Sequence, residues 1–67
     1  MSTTKYPEIT VELTGQDGNA MMIMALTQKA MRRAGVPKEE LDAYFKEATS
    51  GDYTNVLVTT MNWVNVE

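Results

Sequence analysis

Gly15-Gln16-Asp17-Gly18-Asn19, running into Ala20-Met21-Met22-Ile23-Met24-Ala25-Leu26-Thr27-Gln28-Lys29-Ala30-Met31-Arg32-Arg33-Ala34, supports two opposed readings. An Asp-Gly turn before a run of seven apolar residues, Ala20 to Leu26, suits a hairpin and a second strand. Composition favours a helix instead. Between Ala20 and Ala34 only Ile23 and Thr27 are β-branched, and the rest is Ala, Met, Leu, Gln, Lys and Arg, all good helix formers. Asn19 is a natural N-cap. Ile23, Leu26, Ala30 and Ala34, with Met31 beside them, recur at the spacing of one helical stripe and are expected to face inward. Gly35 marks the exit, Pro37 forbids continuation, and Lys29, Arg32 and Arg33 sit where positive charge suits the helix C-terminus.

Working outward from this helix, residues 1–7 lack periodicity and read as a flexible lead, leaving a single domain over 8–67. Glu8-Ile9-Thr10-Val11-Glu12-Leu13-Thr14 alternates, with Ile9, Val11 and Leu13 on one face, and predicts a half-buried strand. Downstream, Pro37 in the first turn and Glu39 and Glu40 near the positive end open a second helix, with Leu41, Tyr44, Phe45 and Ala48 on its inner stripe. Thr49-Ser50-Gly51 stops it. Asp52 caps a third segment in which Tyr53, Val56, Leu57, Thr60 and Met61 fit helical spacing, although Val56, Val58, Thr59 and Thr60 favour a strand by propensity. Helix is the reading taken for 53–61. Trp63-Val64-Asn65-Val66-Glu67 alternates again and is expected to pair with the N-terminal strand. The fold class is therefore α+β: a strand, three short helices and a C-terminal strand closing a small two-stranded sheet.

A chain of 67 residues buries only about 60% of its unfolded surface, a thin margin for stability. It contains no Cys and no His, so neither a disulfide nor a zinc site can staple it. A two-stranded sheet leaves two open edges, and Ala20 to Leu26 is apolar around the whole helix. These features point to a homo-oligomer in which neighbouring copies extend the sheet, with Met21, Met22 and Met24 as the expected interface. Core filling is the competing role for those methionines.

Six basic against nine acidic residues give a net charge of -3, which disfavours non-specific nucleic-acid binding. The seven-residue apolar run is far short of the roughly 20 residues that cross a membrane, so a soluble protein is expected. Without imidazole or thiolate, most acid–base and nucleophilic mechanisms lose their usual residues. Glu39, Glu40, Asp42 and Glu47 read as the solvated face of an amphipathic helix. The chain is accordingly expected to be no enzyme and to need no cofactor or metal.

Binding chemistry remains. A Gly-containing turn feeding a helix offers free N–H groups to an anion, making Gly18 and Asn19 candidate ligand donors, with a plain capped turn as the alternative. Lys29, Arg32 and Arg33, at i, i+3 and i+4, are candidate phosphate ligands or simple complements to the helix dipole. Tyr53 and Trp63 offer flat faces for a base or, equally, packing surface. If one copy's basic turn approaches another's Gly-rich turn, a phosphate-sized site forms between them.

Ile9-Thr10-Val11-Glu12-Leu13-Thr14-Gly15-Gln16-Asp17-Gly18-Asn19-Ala20, Arg32-Arg33-Ala34-Gly35-Val36, Glu47-Ala48-Thr49-Ser50-Gly51-Asp52-Tyr53 and Trp63-Val64-Asn65-Val66-Glu67 resemble a family of small uncharacterised proteins of tailed bacteriophages. The likeness spans about residues 7–67. Relatives often carry an aromatic after Gly-Asn-Ala and a His or Cys within the last helix, where this chain has Met21-Met22-Ile23 and Thr54-Asn55-Val56-Leu57-Val58-Thr59-Thr60. The resemblance implies a phage protein working in the cytoplasm of the infected bacterial host. By size and habit, though not by motif, it is similar to phage anti-defence sponges, which sequester nucleotide immune signals between subunits. An interaction module that inhibits or adapts a host or phage protein is the alternative function.

Overall fold

The computed structural model describes residues 4–13 and 18–67. The element order is β1 (Tyr6–Val11), α1 (Ala20–Arg33), α2 (Lys38–Ala48), α3 (Tyr53–Trp63) and β2 (Val64–Val66), an α+β fold. β1 and β2 form a two-stranded parallel sheet, with Tyr6 opposite Val64, Thr10 opposite Asn65 and Val11 opposite Val66. Parallel neighbours need a crossover, and the three helices supply it. The register slips between Tyr6 and Thr10, a stretch containing Pro7, which has no N–H to give a ladder.

The expected lead over residues 1–7 is shorter than the periodicity suggested. β1 already begins at Tyr6, the Lys5 N–H donates to the Asn62 carbonyl at 2.8 Å, and the Thr4 hydroxyl donates to the Met61 carbonyl at 3.1 Å. Alternation cannot reveal such a start, because its anchors lie at the far end of the chain. The Gly15, Gln16 and Asp17 part of the expected turn, and Thr14 at the end of the expected strand, lie outside the described residues.

Asn19 caps α1 as expected, its side chain accepting the Met22 N–H at 2.8 Å. Beyond the other end Gly35 takes a φ of 90°, in the left-handed region that favours glycine. The buried side of α1 is, however, rotated from the expected stripe. Ile23, Met24, Thr27 and Met31 face the core, Leu26 and Ala30 are half-buried, and Ala34 is exposed at the C-cap. Thr27 tolerates burial because its hydroxyl donates to the Ile23 carbonyl at 2.8 Å, leaving a methyl for packing.

Pro37 stands at the N-cap of α2, with φ -64° and ψ 154°, rather than inside the helix. Leu41, Tyr44 and Ala48 are buried, whereas Phe45, expected inside, is 41% exposed. Asp52 caps α3 by accepting the Asn55 N–H at 3.0 Å, and the helix runs through Trp63, past the expected end at 61. Its core face is Val56, Thr59, Thr60 and Trp63; Tyr53 and Met61, expected inward, are 46% and 51% exposed. Of the β-branched residues that argued for a strand, Val58 is 44% exposed, while Val56, Thr59 and Thr60 are packed against the core. Thr60 shows how: its Oγ1 donates to the Val56 carbonyl at 2.7 Å and lies 2.7 Å from the Tyr44 hydroxyl. Among the described residues no buried side-chain nitrogen or oxygen lacks a partner.

Candidate functional site

The residues expected to bind a ligand fall into separate places. At the start of α1, Gly18 has a φ of 75° and its carbonyl accepts a hydrogen bond from the Tyr53 hydroxyl, so the start of α3 is tied to the start of α1. Asn19 spends its side chain on the Met22 N–H, and an anion here would have to compete for that donor. Tyr53 is 46% exposed.

Lys29 and Arg33 lie toward the other end of α1. At a rise of about 1.5 Å per residue, Lys29 is about 15 Å along the helix from Asn19, too far for one small ligand to touch both in a single chain. Lys29 and Arg33, at i and i+4, share a face and line a groove of about 240 Å³ with Leu26 and Ala30; Thr10, Val11 and Glu12 form the opposite wall. Successive helical residues point about 100° apart, so Arg32 turns away from Arg33. It lines a different groove, of about 350 Å³, with Gln28, Val36, Lys38, Leu41 and Asp42. The three cations expected as one cluster are thus divided.

The ion pairs among the described residues are Lys5–Glu40 at 2.5 Å and Lys38–Asp42 at 3.3 Å, so Lys29, Arg32 and Arg33 keep their charges uncompensated there. The walls of the Lys29 groove follow from local rules. Thr10 and Glu12 are exposed on β1 and just beyond it, where alternation turns Ile9 and Val11 inward. Alternation made their outward direction legible, but no local signal tells which helix they will face.

Trp63, expected as a candidate stacking face, lies in the core. It is 6% exposed, packs edge-on against Tyr44 at 5.8 Å and near Tyr6 at 6.2 Å, and carries the Lys5 ammonium 4.4 Å above its ring. Its Nε1–H donates to Glu47 Oε1 at 3.2 Å. Glu40, expected as solvated, takes both the Lys5 ammonium and the Tyr6 hydroxyl, the latter at 3.0 Å. Those two hydrogen bonds hold its carboxyl below the usual range, and the same carboxylate raises the Lys5 ammonium. Tyr6 is raised by desolvation first and by Glu40 second.

Of the expected oligomer-contact methionines, Met24 is 4% exposed and belongs to the chain's own core, so it is not free for a neighbour. Met21 and Met22 are 71% and 37% exposed. Among the described residues no group of His, Cys, Asp and Glu is placed to hold a metal ion, and no helix is long and apolar enough to cross a membrane.

No family model matches the chain, and no curated protein or solved structure is significantly similar to it.

Proposed function

We propose that the chain is a non-enzymatic phage protein that binds and sequesters a small phosphorylated ligand, such as a nucleotide immune signal of the bacterial host. The observation that carries this reading is the pair Lys29 and Arg33, aligned on one groove and free of ion pairs among the described residues of a net acidic chain. A cationic pair left uncompensated on a concave surface attracts anions, and Arg can grip a phosphoryl group in bidentate fashion. In a homo-oligomer the groove of one copy meets the Gly18, Asn19 and Tyr53 end of another, joining groups that one chain keeps about 15 Å apart. Tyr53, with its exposed ring, is then the stacking residue. Arg32 and Trp63 have no part in this version of the site.

The test is to incubate the protein with a panel of cyclic and ADP-ribose-type nucleotides, remove free ligand, and heat the complex. Uptake that returns intact ligand, and that is lost in the Lys29→Gln/Arg33→Gln variant, is the expected result. Ligand recovered as a degraded product would mean an enzyme.

A second reading rests on the outer edge of β1. Among the described residues β2 is the one strand paired with it, and a strand edge left open beside a groove suits strand addition by a partner protein. A well-folded protein that takes up no nucleotide would favour this interaction module, with the exposed Met21 and Met22 as further contact surface.

A further inference from the structure

Glu12 is out of place in an anion site. A carboxylate on the wall opposite Lys29 and Arg33 repels a bare phosphate at short range and lowers the site's affinity for it. Nor does it serve as an internal counter-ion, since among the described residues it pairs with neither cation. Its main chain faces the outer edge of the sheet. The Glu67 N–H donates to the Val11 carbonyl at 3.0 Å and the Leu13 N–H donates to a Glu67 oxygen at 2.7 Å, so Glu12 stands opposite Glu67. In a parallel ladder that geometry points the N–H and C=O of Glu12 itself away from β2. Beside it, the Thr10 hydroxyl accepts from Asn65 Nδ2 at 3.2 Å and keeps its own hydrogen to donate.

An ionised carboxylate only accepts hydrogen bonds, so a ligand at ease beside Glu12 must bring hydroxyl donors as well as a phosphate for Lys29 and Arg33. A ribose with free 2′ and 3′ hydroxyls brings two, side by side. Acidic residues read ribose hydroxyls in this way in dinucleotide-binding folds. A volume of about 240 Å³, just under the usual range for small-molecule pockets, suits a sugar phosphate rather than a whole dinucleotide.

Resting on the reading that Lys29 and Arg33 hold a phosphoryl group, we infer that Glu12 is the specificity residue of this groove and that the ligand is a ribosyl phosphate with an unmodified vicinal diol. Glu12 accepts the two hydroxyl hydrogens, Lys29 and Arg33 bind the phosphate, and the base extends beyond the groove. Nucleic-acid backbones, whose 3′ oxygens are esterified, and inorganic phosphate are disfavoured by the same carboxylate.

The probes are ribose 5-phosphate, 2-deoxyribose 5-phosphate and inorganic phosphate, titrated against the full chain by ligand-observed NMR. The wild-type protein should bind the ribose compound at least about ten-fold more tightly than the deoxy compound, since a site built around a hydroxyl rejects the analogue lacking it. Glu12→Ala should erase that difference and strengthen inorganic phosphate, with an unchanged circular dichroism spectrum. Lys29→Gln/Arg33→Gln should abolish binding of all three. Equal binding of ribose and deoxyribose phosphates, still dependent on Lys29 and Arg33, would overturn the role of Glu12 and leave the phosphate reading standing. No binding of any probe, or binding indifferent to Lys29 and Arg33, would overturn both.

Discussion

Tyr44 and Thr60 make a polar contact between two helices within the core, each 0% exposed, with 2.7 Å between their oxygens. Thr60 has a single hydroxyl hydrogen and gives it to the Val56 carbonyl, so the Tyr44 hydroxyl must be the donor between them. That assignment makes the two deletions unequal. Tyr44→Phe removes a donor and leaves Thr60 still bonded to its own helix, a loss of about 1 kcal/mol. Thr60→Val keeps the shape but strands a buried phenolic hydrogen, a loss of about 1–3 kcal/mol. Because one contact is shared, the double variant should be less destabilised than the sum of the singles, as measured by urea unfolding. Additive losses would mean that the hydroxyls act independently. From sequence, Tyr44 and Thr60 could both be placed on inner helical faces, but their mutual contact could not, since helical spacing says nothing of which residue on another helix lies opposite.

Between elements, the joint that sequence reading missed is the one tying the start of β1 to α2 and the end of α3. Lys5 reaches Glu40 and the Trp63 ring, Tyr6 reaches Glu40, and Trp63 reaches Glu47. The native Glu40 carboxyl titrates below its unfolded counterpart, so its contribution is present above the unfolded carboxylate range and is lost as pH falls through the native value. Lys5 and Tyr6 titrate higher when folded; their contributions are intact below the ordinary lysine and tyrosine values and are lost as pH rises through the raised ones. Stability should therefore fall at both extremes. The acid limb should be shallower in Lys5→Met, checked by urea titrations across pH; an identical acid limb in the variant would refute the coupling. By contrast, Asn19 and Asp52 announced their helices plainly, because a cap acts on residues three positions away. The rotation of α1 was hidden: Leu26 reads as more apolar than Thr27, but a threonine that bonds to its own helix presents a methyl to the core.

For the molecule as a whole, the α+β plan was legible because strand alternation and helix punctuation are written locally. The candidate site was legible only in part. Helical spacing put Lys29 and Arg33 on one face, and they share a groove, but it did not separate Arg32 from them, place Trp63 in the core or bring in Thr10, Val11 and Glu12, since a groove between a strand edge and a helix belongs to neither. Exposed Met21, Phe45, Tyr53, Val58 and Met61 leave much apolar surface on a small chain. If copies cover it, the unfolding temperature should rise with protein concentration, because association stabilises the folded state by mass action. Calorimetry at widely spaced concentrations checks this, and a constant midpoint with a monomeric mass would exclude the oligomer. The parallel pairing of Thr10 with Asn65 also sets an order of events in synthesis. β1 is made before the three helices, and β2, its strand partner among the described residues, only after them. The first encounter of β1 with another strand can thus be with a different molecule, and the time before β2 emerges is when the nascent chain is most open to capture or aggregation.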